Sequence, residues 1–313
     1  MKKIIITGAT GLIGKKLSEE LFKSGYQIIV FSRDSKRAKD VLKKDYEYVD
    51  WDYRNPLKWA DKISESDVII HLAGINLFAK RWNDEFKKEI ITSRKDTTKA
   101  LVDVIKNSSN KPKVFISASG VGYYGDGGDK ILTEDSSAGN DFLADVCKVW
   151  ESEASEVESV GVRRVSIRTG IVLSTEDGAL KRMLLPFKLF VGGPIGNGKQ
   201  WFPWIHIDDI VGIYKYAAEN ENLSGAVNAA SPNICTMKEF AKTLGKVLNR
   251  PSLFSVPKFA LKLAIGEAGD VVLMGQRVSV DKLLSSGYKF KFENIEEALK
   301  ELLKCRDIIP VRY

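Results

Sequence analysis

The chain is poor in the residues that build metal centres and disulfide frameworks. Its 313 residues include only two histidines, His71 and His206, and three widely separated cysteines, Cys147, Cys235 and Cys305. Zinc sites need closely spaced Cys and His ligands, so no metal site is expected. Scattered cysteines are typical of a reducing compartment. The N-terminal segment also lacks the apolar stretch of a signal peptide, and we therefore expect a cytoplasmic protein.

Long apolar runs and concentrated charge are also missing. No window approaches the roughly 20 apolar residues that a membrane-spanning helix needs. The formal net charge is +7, but the lysines are dispersed and no block of like charges forms a basic tail. No basic motif interleaved with aromatic residues indicates nucleic-acid binding. We expect no membrane and no nucleic-acid partner, but a small-molecule substrate bound by a monomer or homodimer.

Hydrophobic residues make up 44% of the sequence, and in its first half they form short apolar runs separated by helical patterns. This alternation is typical of βαβ units, whose right-handed crossovers produce a doubly wound parallel sheet. We therefore predict an α/β, Rossmann-type fold. The predicted strands are 3–7, 27–32, 46–49, 68–71, 113–117 and 163–168, and the predicted helices are 12–24, 35–43, 83–107 and 140–159.

The regular alternation fades after Thr169. The segment LFVGGPIGNGKQWFPW is rich in Gly, Pro and Trp, and we interpret it as a functional loop. The pattern predicts a cofactor-binding domain over 1–170, to which 205–230 return, and a smaller α+β lobe over 171–313. Helices in the later part are predicted at 209–219, 236–248, 257–264 and 295–303.

Three glycines follow the first predicted strand, in IIITGATGLIGKKL. Gly8 permits a tight turn, Gly11 lets the backbone approach a pyrophosphate, and Gly14 lets helix and strand pack closely. The helix that begins here offers free N–H groups and a positive dipole end to the phosphates. Because the triplet lies between a strand and an amphipathic helix, it predicts a dinucleotide site.

Further segments extend this pattern along the chain. VIIHLAG, FISASGVGYYGD and GNGKQWFPWIHIDDIV resemble the fourth-strand, fifth-strand and late substrate-loop motifs of the extended short-chain dehydrogenase/reductase superfamily, and EYVDWDYRN places Asp52 at its adenine-contacting position. The resemblance implies a set of cofactor contacts at the matching positions. These are Gly8, Thr10, Gly11, Leu12, Ile13, Gly14, Ser32, Arg33, Arg37, Asp52, Leu72, Ala73, Gly74, Arg94 and Ser117.

The end of the second strand distinguishes NAD from NADP. An acidic residue there would bind the ribose 2′-hydroxyl and repel a 2′-phosphate. The segment VFSRDSKRAK instead offers Ser32 and Arg33, with Lys36 and Arg37 nearby. A guanidinium can bind a phosphate through two hydrogen bonds and stack on adenine, whereas Asp34 is expected to cap the next helix. We predict NADP(H), with Lys36 and Arg37 as either phosphate ligands or solvated charges.

The usual catalytic pair of this superfamily, a Tyr acid/base and a Lys four residues later, is missing from DFLADVCKVWE. A Glu often follows that Lys by four residues. If Glu151 is that anchor, Cys147 stands at the Lys position and Leu143 at the Tyr position. If Lys148 is the Lys, Ala144 stands at the Tyr position. Neither alignment supplies a usable proton at neutral pH, so the helix is predicted to take no part in proton transfer.

A substitute is expected just after the fifth strand. Ser119 is predicted at the carboxyl edge of that strand, and Tyr123 and Tyr124 follow within one turn of loop. The doubled Tyr leaves two alternatives for the acid/base, and either phenol could instead be packed. A phenol near a cationic nicotinamide ring can have a lowered pKa and exchange protons with a substrate. Ser119, Tyr123 and Tyr124 are therefore the candidate catalytic residues.

Six further side chains are candidates for a substrate pocket. The two Trp residues either line that pocket or fill a lobe interface, and the Arg of GQRV either faces an acidic substrate or forms a salt bridge. His206, in WIHIDD, is more typical of a hydrogen-bonded residue than of a catalyst. Asp209, the last residue of that motif, is expected to cap the following helix. The six are Lys80, Arg81, Trp201, Trp204, His206 and Arg277.

One branch of the superfamily matches nearly the whole chain. AGINLFAKRW, SASGVGYYG, GKQWFPWIHIDDIVGIYKYA and VPKFALKLAIGEAGDVVLMGQRVSVDKLLSSGYKFKF resemble the epimerase-like family with a C-terminal domain of unknown function, expected here at about 250–300. Lack of the Tyr and Lys is characteristic of that branch. The resemblance implies an NADP(H)-dependent oxidoreductase or epimerase-like enzyme for a small substrate, such as a nucleotide sugar or carbonyl compound. The missing pair leaves a second hypothesis, a catalytically silent NADP(H)-binding redox sensor or partner-binding protein.

Overall fold

The computed structural model describes residues 2–304, and Cys305 lies outside that range. Thirteen strands are present in the described part of the chain. They are β1 (Lys3–Thr7), β2 (Gln27–Ser32), β3 (Glu47–Asp50), β4 (Val68–His71), β5 (Val114–Gly120), β6 (Ile131–Leu132), β7 (Arg163–Thr169), β8 (Ile171–Leu173), β9 (Trp201–Phe202), β10 (Trp204–His206), β11 (Gly225–Ala229), β12 (Cys235–Thr236) and β13 (Arg277–Val278).

Twelve α-helices lie between and after these strands within residues 2–304. They are α1 (Leu12–Lys23), α2 (Ser35–Leu42), α3 (Ala60–Ser64), α4 (Asp84–Asn107), α5 (Phe142–Ser155), α6 (Ala179–Lys188), α7 (Ile207–Glu219), α8 (Met237–Leu248), α9 (Lys258–Ile265), α10 (Ala268–Val272), α11 (Asp281–Ser285) and α12 (Ile295–Lys304).

Seven strands form the central sheet, in the order β11-β7-β5-β4-β1-β2-β3. The pairs β1–β2, β1–β4, β2–β3 and β4–β5 are all parallel. The order reverses at β1, and in sheets of this kind a ligand crevice opens where the carboxyl ends of the strands diverge at such a reversal. The predicted Rossmann-type fold is confirmed.

Apolar runs along the strands explain why the sheet lies inside the protein. Ile4, Ile5 and Ile6 of β1 are fully buried, as is typical of parallel strands that are covered by helices on both faces. Phe31 of β2 and Phe115 of β5 belong to one buried cluster with residues of α3 and α4. Burial of this apolar surface fixes the strand ends, and those ends carry the predicted site residues.

Several element boundaries differ from the predicted ones. Strand β5 runs to Gly120, three residues beyond its predicted end. Its polar residues Ser117 and Ser119 are buried, whereas the sequence pattern placed the strand end where the polar residues begin. The predicted helix 140–159 ends at Ser155 and continues as a 3₁₀ turn over Glu156–Val160. Sequence patterns did not predict β11 or α6, because GAVNA is short and ALKRMLLPFK contains a proline.

Two compact units divide the chain. The first contains the residues through Tyr123, together with Ala138–Arg168 and Val211–Val227. The second contains Tyr124–Ser137, Thr169–Ile210 and the described residues from Asn228 onward. Three two-stranded sheets, β10–β8, β12–β9 and β13–β6, lie in the second unit. No helix within residues 2–304 is long and apolar enough to cross a membrane.

Candidate cofactor site and active site

The turn between β1 and α1 brings two stretches of backbone into close contact. Gly8 has a φ of +70°, and a Cβ there would lie 2.9 Å from the carbonyl carbon of Leu72. A Cβ on Gly14 would lie only 2.3 Å from the Gly8 oxygen. Side chains at either position would force the strand, turn and helix apart, so the fold itself requires both glycines.

The start of α1 is suited to bind an anion through its backbone. Gly11 is the N-cap, and no side chain accepts a hydrogen bond from the first turn. The first N–H groups of an α-helix have no partner within the helix, and here they include those of Leu12 and Ile13. Thr10 is exposed beside them. The turn therefore fits a pyrophosphate, with the helix dipole adding a favourable field.

The carboxylates near the end of β2 are occupied by backbone N–H groups. Asp34 Oδ1 accepts a hydrogen bond from Arg37 N at 2.8 Å, which confirms the predicted helix cap. Asp50, paired with Ser32 across the sheet, accepts one from Ser35 N at 2.8 Å. Arg33 is exposed, and the Ser32 hydroxyl donates to the Asp34 carbonyl at 3.0 Å, so the strand end offers an exposed cation.

His71 at the end of β4 helps to hold the loop that follows. Thr7 Oγ1 accepts hydrogen bonds from Leu72 N and Ala73 N at 3.1 Å and lies 2.8 Å from His71 Nδ1. His71 Nε2 lies 3.3 Å from Thr97 Oγ1. Burial, with a contribution from Arg94, lowers the pKa of His71 to about 3. His71 is therefore a neutral residue that supports the fold.

Arg94 of α4 also holds the loop that follows β4. It donates to the carbonyls of Ile90 at 3.0 Å and Ile75 at 3.1 Å, and its guanidinium lies 4.9 Å from the Trp150 ring. A Cβ on Gly74 would lie 3.1 Å from the Arg94 Cζ. Desolvation lowers the pKa of Arg94 to about 10, so the side chain still carries its charge at neutral pH.

Two other predicted cofactor contacts already have local partners. Ser117 is fully buried, and its hydroxyl lies 3.1 Å from that of Ser166. Asp52 is exposed and accepts a hydrogen bond from Arg54 N at 3.0 Å. A bound adenine would therefore meet Asp52 at the surface, whereas Ser117 lies within the sheet.

A polar cluster lies at the carboxyl end of β5. Ser119 Oγ donates to Glu151 Oε1 across 2.6 Å. Arg168 binds the same carboxylate with two parallel bonds, Nε to Oε1 and Nη2 to Oε2, both at 2.8 Å. The Arg168 guanidinium also lies 3.5 Å from the centre of the Tyr123 ring. One ion pair therefore contacts two of the three candidate catalytic residues.

Glu151 and Arg168 were not predicted as site residues. Glu151 served only as an alignment anchor, and Arg168 was only the last residue of a predicted strand. A signal was nevertheless present, because Glu151 lies one helical turn beyond Cys147 and Arg168 ends a strand whose neighbour β5 carries Ser119. A carboxylate and a guanidinium that are both buried need each other as partners.

At the two positions where the Tyr and Lys are usual, helix α5 has no group that gives up a proton at neutral pH. Burial raises the pKa of Cys147 to about 11, with a smaller contribution from the Glu151 charge. Its sulfur lies 3.6 Å from the Gly120 carbonyl. Leu143 packs beside Gly122, where a Cβ would lie 3.2 Å from the leucine Cβ. Both residues therefore contribute packing.

Tyr124 differs from its neighbour in environment. It is buried, and its hydroxyl donates to Asn228 Oδ1 across 2.6 Å. Asn228 in turn donates two other bonds, from its backbone N to Glu134 Oε1 at 2.8 Å and from its Nδ2 to the Ser279 carbonyl at 2.9 Å. Tyr123 is only half-buried. The structure therefore favours Tyr123 as the phenol within reach of a ligand.

The substrate-pocket candidates separate into two groups. Lys80 and Arg81 are exposed in the first unit, and Lys80 lies 3.5 Å from Glu89. In the second unit, Arg277 lies 4.6 Å from the Trp201 ring, whose Nε1 donates to Asp129 at 2.8 Å.

Trp204 and His206 are buried within the second unit. Trp204 is fully buried, and its Nε1 donates to the Asn233 carbonyl at 3.2 Å. His206 Nδ1 accepts a bond from Asp208 N at 3.0 Å, so its Nε2 carries the proton and donates to Glu301 at 2.9 Å. These contacts favour the packing and hydrogen-bonding alternatives for the two residues.

The expected helix cap at Asp209 is wrong. Helix α7 begins at Ile207, so Asp209 lies inside its first turn. The Asp209 carboxylate accepts backbone hydrogen bonds from Lys291 at 2.7 Å and Phe292 at 3.0 Å. The carboxylate therefore binds two backbone N–H groups that are distant in sequence, and not those of the first turn of α7. A single sequence does not reveal such a long-range contact.

The sequence profile of the NAD dependent epimerase/dehydratase family matches residues 4–230. The chain belongs to this family. A second profile, that of a domain of unknown function, matches residues 256–302. Epimerase family protein YfhF of Bacillus subtilis is 37% identical over 307 residues, which cover 98% of this chain and 99% of that relative.

Two solved structures of the family are similar throughout. The human epimerase family protein SDR39U1, crystallised with NADPH, is 32% identical, with a TM-score of 0.84 over 96% of this chain and 99% of that one. A protein of Corynebacterium glutamicum described as a nucleoside-diphosphate sugar epimerase is 33% identical. Its TM-score is 0.77 over 96% of this chain and 58% of that one.

Proposed function

We propose that the protein binds NADP(H) and acts as an epimerase-like oxidoreductase on a small substrate. The observation that carries this proposal is the end of β2, where Arg33 is exposed while both nearby carboxylates, Asp34 and Asp50, accept backbone hydrogen bonds. A carboxylate held in this way is directed away from the ribose, so a 2′-phosphate meets a cation there. The NADPH in the human relative supports the same choice.

The residues present fit such a dinucleotide. The glycine turn and the first N–H groups of α1 would hold the pyrophosphate, and Ser32 with Arg33 would hold the 2′-phosphate. Asp52 would contact the adenine, and the segment from Leu72 to Gly74, fixed by Thr7 and Arg94, would lie along the cofactor. When bound, the nicotinamide supplies or accepts a hydride.

In this proposal, proton transfer is carried out by residues at the end of β5 and in the loop that follows it. Ser119 lies in the penultimate position of that strand, and the Tyr123 phenol is stacked on the Arg168 guanidinium. A phenol held in position in this way can act as a general acid/base towards a substrate oxygen. The substrate is a small carbonyl or hydroxyl compound, and a nucleotide sugar is supported by the description of the Corynebacterium relative. We further propose a cytoplasmic monomer or homodimer.

Cofactor titration followed by a substrate panel tests this function. NADPH and NADH are titrated into the protein by fluorescence. The NADPH complex is then offered carbonyl compounds, and the NADP⁺ complex is offered alcohols and nucleotide sugars. We expect tighter binding of NADPH, and either oxidation of bound NADPH by a carbonyl compound or reduction of bound NADP⁺ by a hydroxyl compound. Equal affinity for the two cofactors would reject the NADP(H) assignment.

A catalytically silent NADP(H)-binding protein remains the second candidate. It is favoured by Leu143, which has no titratable group, and by Cys147, whose raised pKa keeps the proton on the thiol at neutral pH. This candidate becomes the better one if NADPH binds tightly but no member of a wide panel oxidises it.

A further inference from the structure

We propose that Glu151 and Arg168 are positioning residues that fix the hydroxyl proton of Ser119. Ser119 then meets its ligand as a hydrogen-bond acceptor. This inference rests on the proposed function and narrows its substrate class, because the ligand group at Ser119 must itself donate a proton. An alcohol satisfies that requirement, whereas the matching ketone does not.

The direction of the Ser119 bond follows from the chemistry of its partner. The two oxygens of Glu151 face two guanidinium N–H groups of Arg168, at 2.8 Å each. Each carboxylate oxygen therefore already accepts an N–H bond, and the group acts as an acceptor towards its neighbours. The proton in the 2.6 Å contact therefore belongs to Ser119.

The three side chains are fixed as well as bonded. Relative exposures are 7% for Ser119, 9% for Glu151 and 3% for Arg168, so water offers little competition for the bonds. Short O–H···O⁻ bonds are about twice as strong as neutral ones. Turning the Ser119 proton towards a ligand carbonyl would give up that bond, which biases the site against a carbonyl by roughly ten- to a hundredfold.

The same ion pair orients the second candidate group. The Tyr123 ring lies against the Arg168 guanidinium at 3.5 Å, close enough for stacking and cation–π attraction. A substrate hydroxyl could then donate to Ser119 while the Tyr123 oxygen approaches from another side. Loss of Glu151 would leave Arg168 without its carboxylate and would loosen both groups together.

Neutron diffraction from deuterium-exchanged crystals of the full chain tests the inference, with and without NADPH. We expect density for a deuterium on Ser119 Oγ, directed at Glu151 Oε1 in both crystals. A deuterium directed away from Glu151 in either crystal overturns the inference. If NADPH fails to bind, the proposed function fails, and the cofactor-free crystal still reports the direction of the Ser119 proton.

Proton NMR on three variants separates positioning from simple packing. Wild type should show a low-field hydroxyl resonance that Ser119→Ala removes and Glu151→Gln moves upfield, because an amide oxygen is a weaker acceptor than a carboxylate. The matched control Glu156→Gln changes an exposed carboxylate 2.8 Å from Lys106 and should leave the resonance unchanged. A purely structural pair would lower the melting temperature of Glu151→Gln without moving this resonance, and that result contradicts the inference.

Discussion

Tyr124 donates its hydroxyl proton to the carboxamide oxygen of Asn228 across 2.6 Å, and both side chains are buried. This bond commits the only donor of Tyr124 to a structural partner. The adjacent Tyr123 instead lies half-buried against Arg168. The two successive tyrosines therefore have different roles: Tyr124 stabilises the fold, and Tyr123 takes part in the chemistry that we propose.

Substitution of the two tyrosines should separate these tasks. Tyr123→Phe should lower kcat by about a hundredfold while NADPH affinity is kept, since a general acid/base typically contributes 10²–10⁴-fold. Tyr124→Phe should keep kcat within a few-fold but lose about 1–3 kcal/mol of stability, because it removes the donor to a buried oxygen. Steady-state kinetics on a panel substrate and urea unfolding give the two quantities. Normal turnover by Tyr123→Phe would place the acid/base elsewhere.

Arg33→Ala should weaken NADPH binding and leave NADH binding almost unchanged. A charge-assisted contact to the 2′-phosphate is worth about 1.5–3 kcal/mol, or roughly ten- to a hundredfold in Kd. Fluorescence titration of both cofactors measures the effect. The control Lys39→Ala removes another exposed cation from α2 and should bind NADPH like wild type. Unchanged NADPH affinity in Arg33→Ala would refute the role of this arginine.

Gly14→Val should abolish NADPH binding and destabilise the fold. The first atom of any side chain there would lie 2.3 Å from the Gly8 oxygen and 2.7 Å from the Ala9 Cα, so α1 must move away from the turn. Circular dichroism and cofactor titration check both effects.

Gly25→Ala provides the control for that substitution. Its φ is +87° and nothing lies within 4 Å of an added Cβ, so only backbone strain of about 1 kcal/mol is expected. A folded Gly14→Val protein with wild-type affinity would contradict the glycine-turn assignment.

The sheet was predictable because its strands are continuous apolar runs, whose period and length identify buried parallel strands. Ile4 to Ile6 of β1 and Val68 to Ile70 of β4 are examples. The edge strand β11 was not predictable, because the alternation in GAVNA is too short to distinguish a strand from a turn. The cap at Asp34 was predicted correctly because its donor is three residues away, whereas the partners of Asp209 lie about eighty residues along the chain.

The thiols of the described cysteines should be unreactive at pH 8. Burial raises the pKa of Cys147 to about 11 and that of Cys235 to about 12, so about one Cys147 in a thousand carries a thiolate at pH 8. In a Cys305→Ser background, modification by a disulfide reagent should be slow and should accelerate as pH rises towards 11. Cys147→Ala should bind NADPH within a few-fold of wild type. Rapid loss of a thiol signal at pH 8 would contradict this account.

Stability should fall as pH drops below 6.5, in part because of His71. Its pKa is lowered to about 3 in the folded protein, so the unfolded chain binds a proton that the folded protein excludes. The stability contribution is complete above pH 6.5, and about 2 kcal/mol of it is lost between pH 8 and pH 5. Urea unfolding at both pH values should show a smaller loss in His71→Gln, by about that amount. Equal losses in the two proteins would show that His71 can be protonated in the fold.

The glycine turn between β1 and α1 was predictable from the sequence, because close backbone contacts require glycine at Gly8 and Gly14. The polar cluster was predicted only at Ser119. Its partners Glu151 and Arg168 were missed, because the three residues come from separate elements that only the folded protein brings together. The sequence predicted α5 as a helix with no acid/base group at Leu143 or Cys147. It did not reveal that the same helix carries the buried carboxylate beside Ser119.

The chain passes between its two compact units five times, at residues 123/124, 137/138, 168/169, 210/211 and 227/228. No single cut can therefore yield either unit as a continuous fragment. A protein truncated after residue 170 would keep β7 but lose β11 beside it, which leaves a bare strand edge open to pairing with other molecules. During synthesis the same edge of β7 stays without its neighbouring strand until some sixty further residues, through β11, have been added.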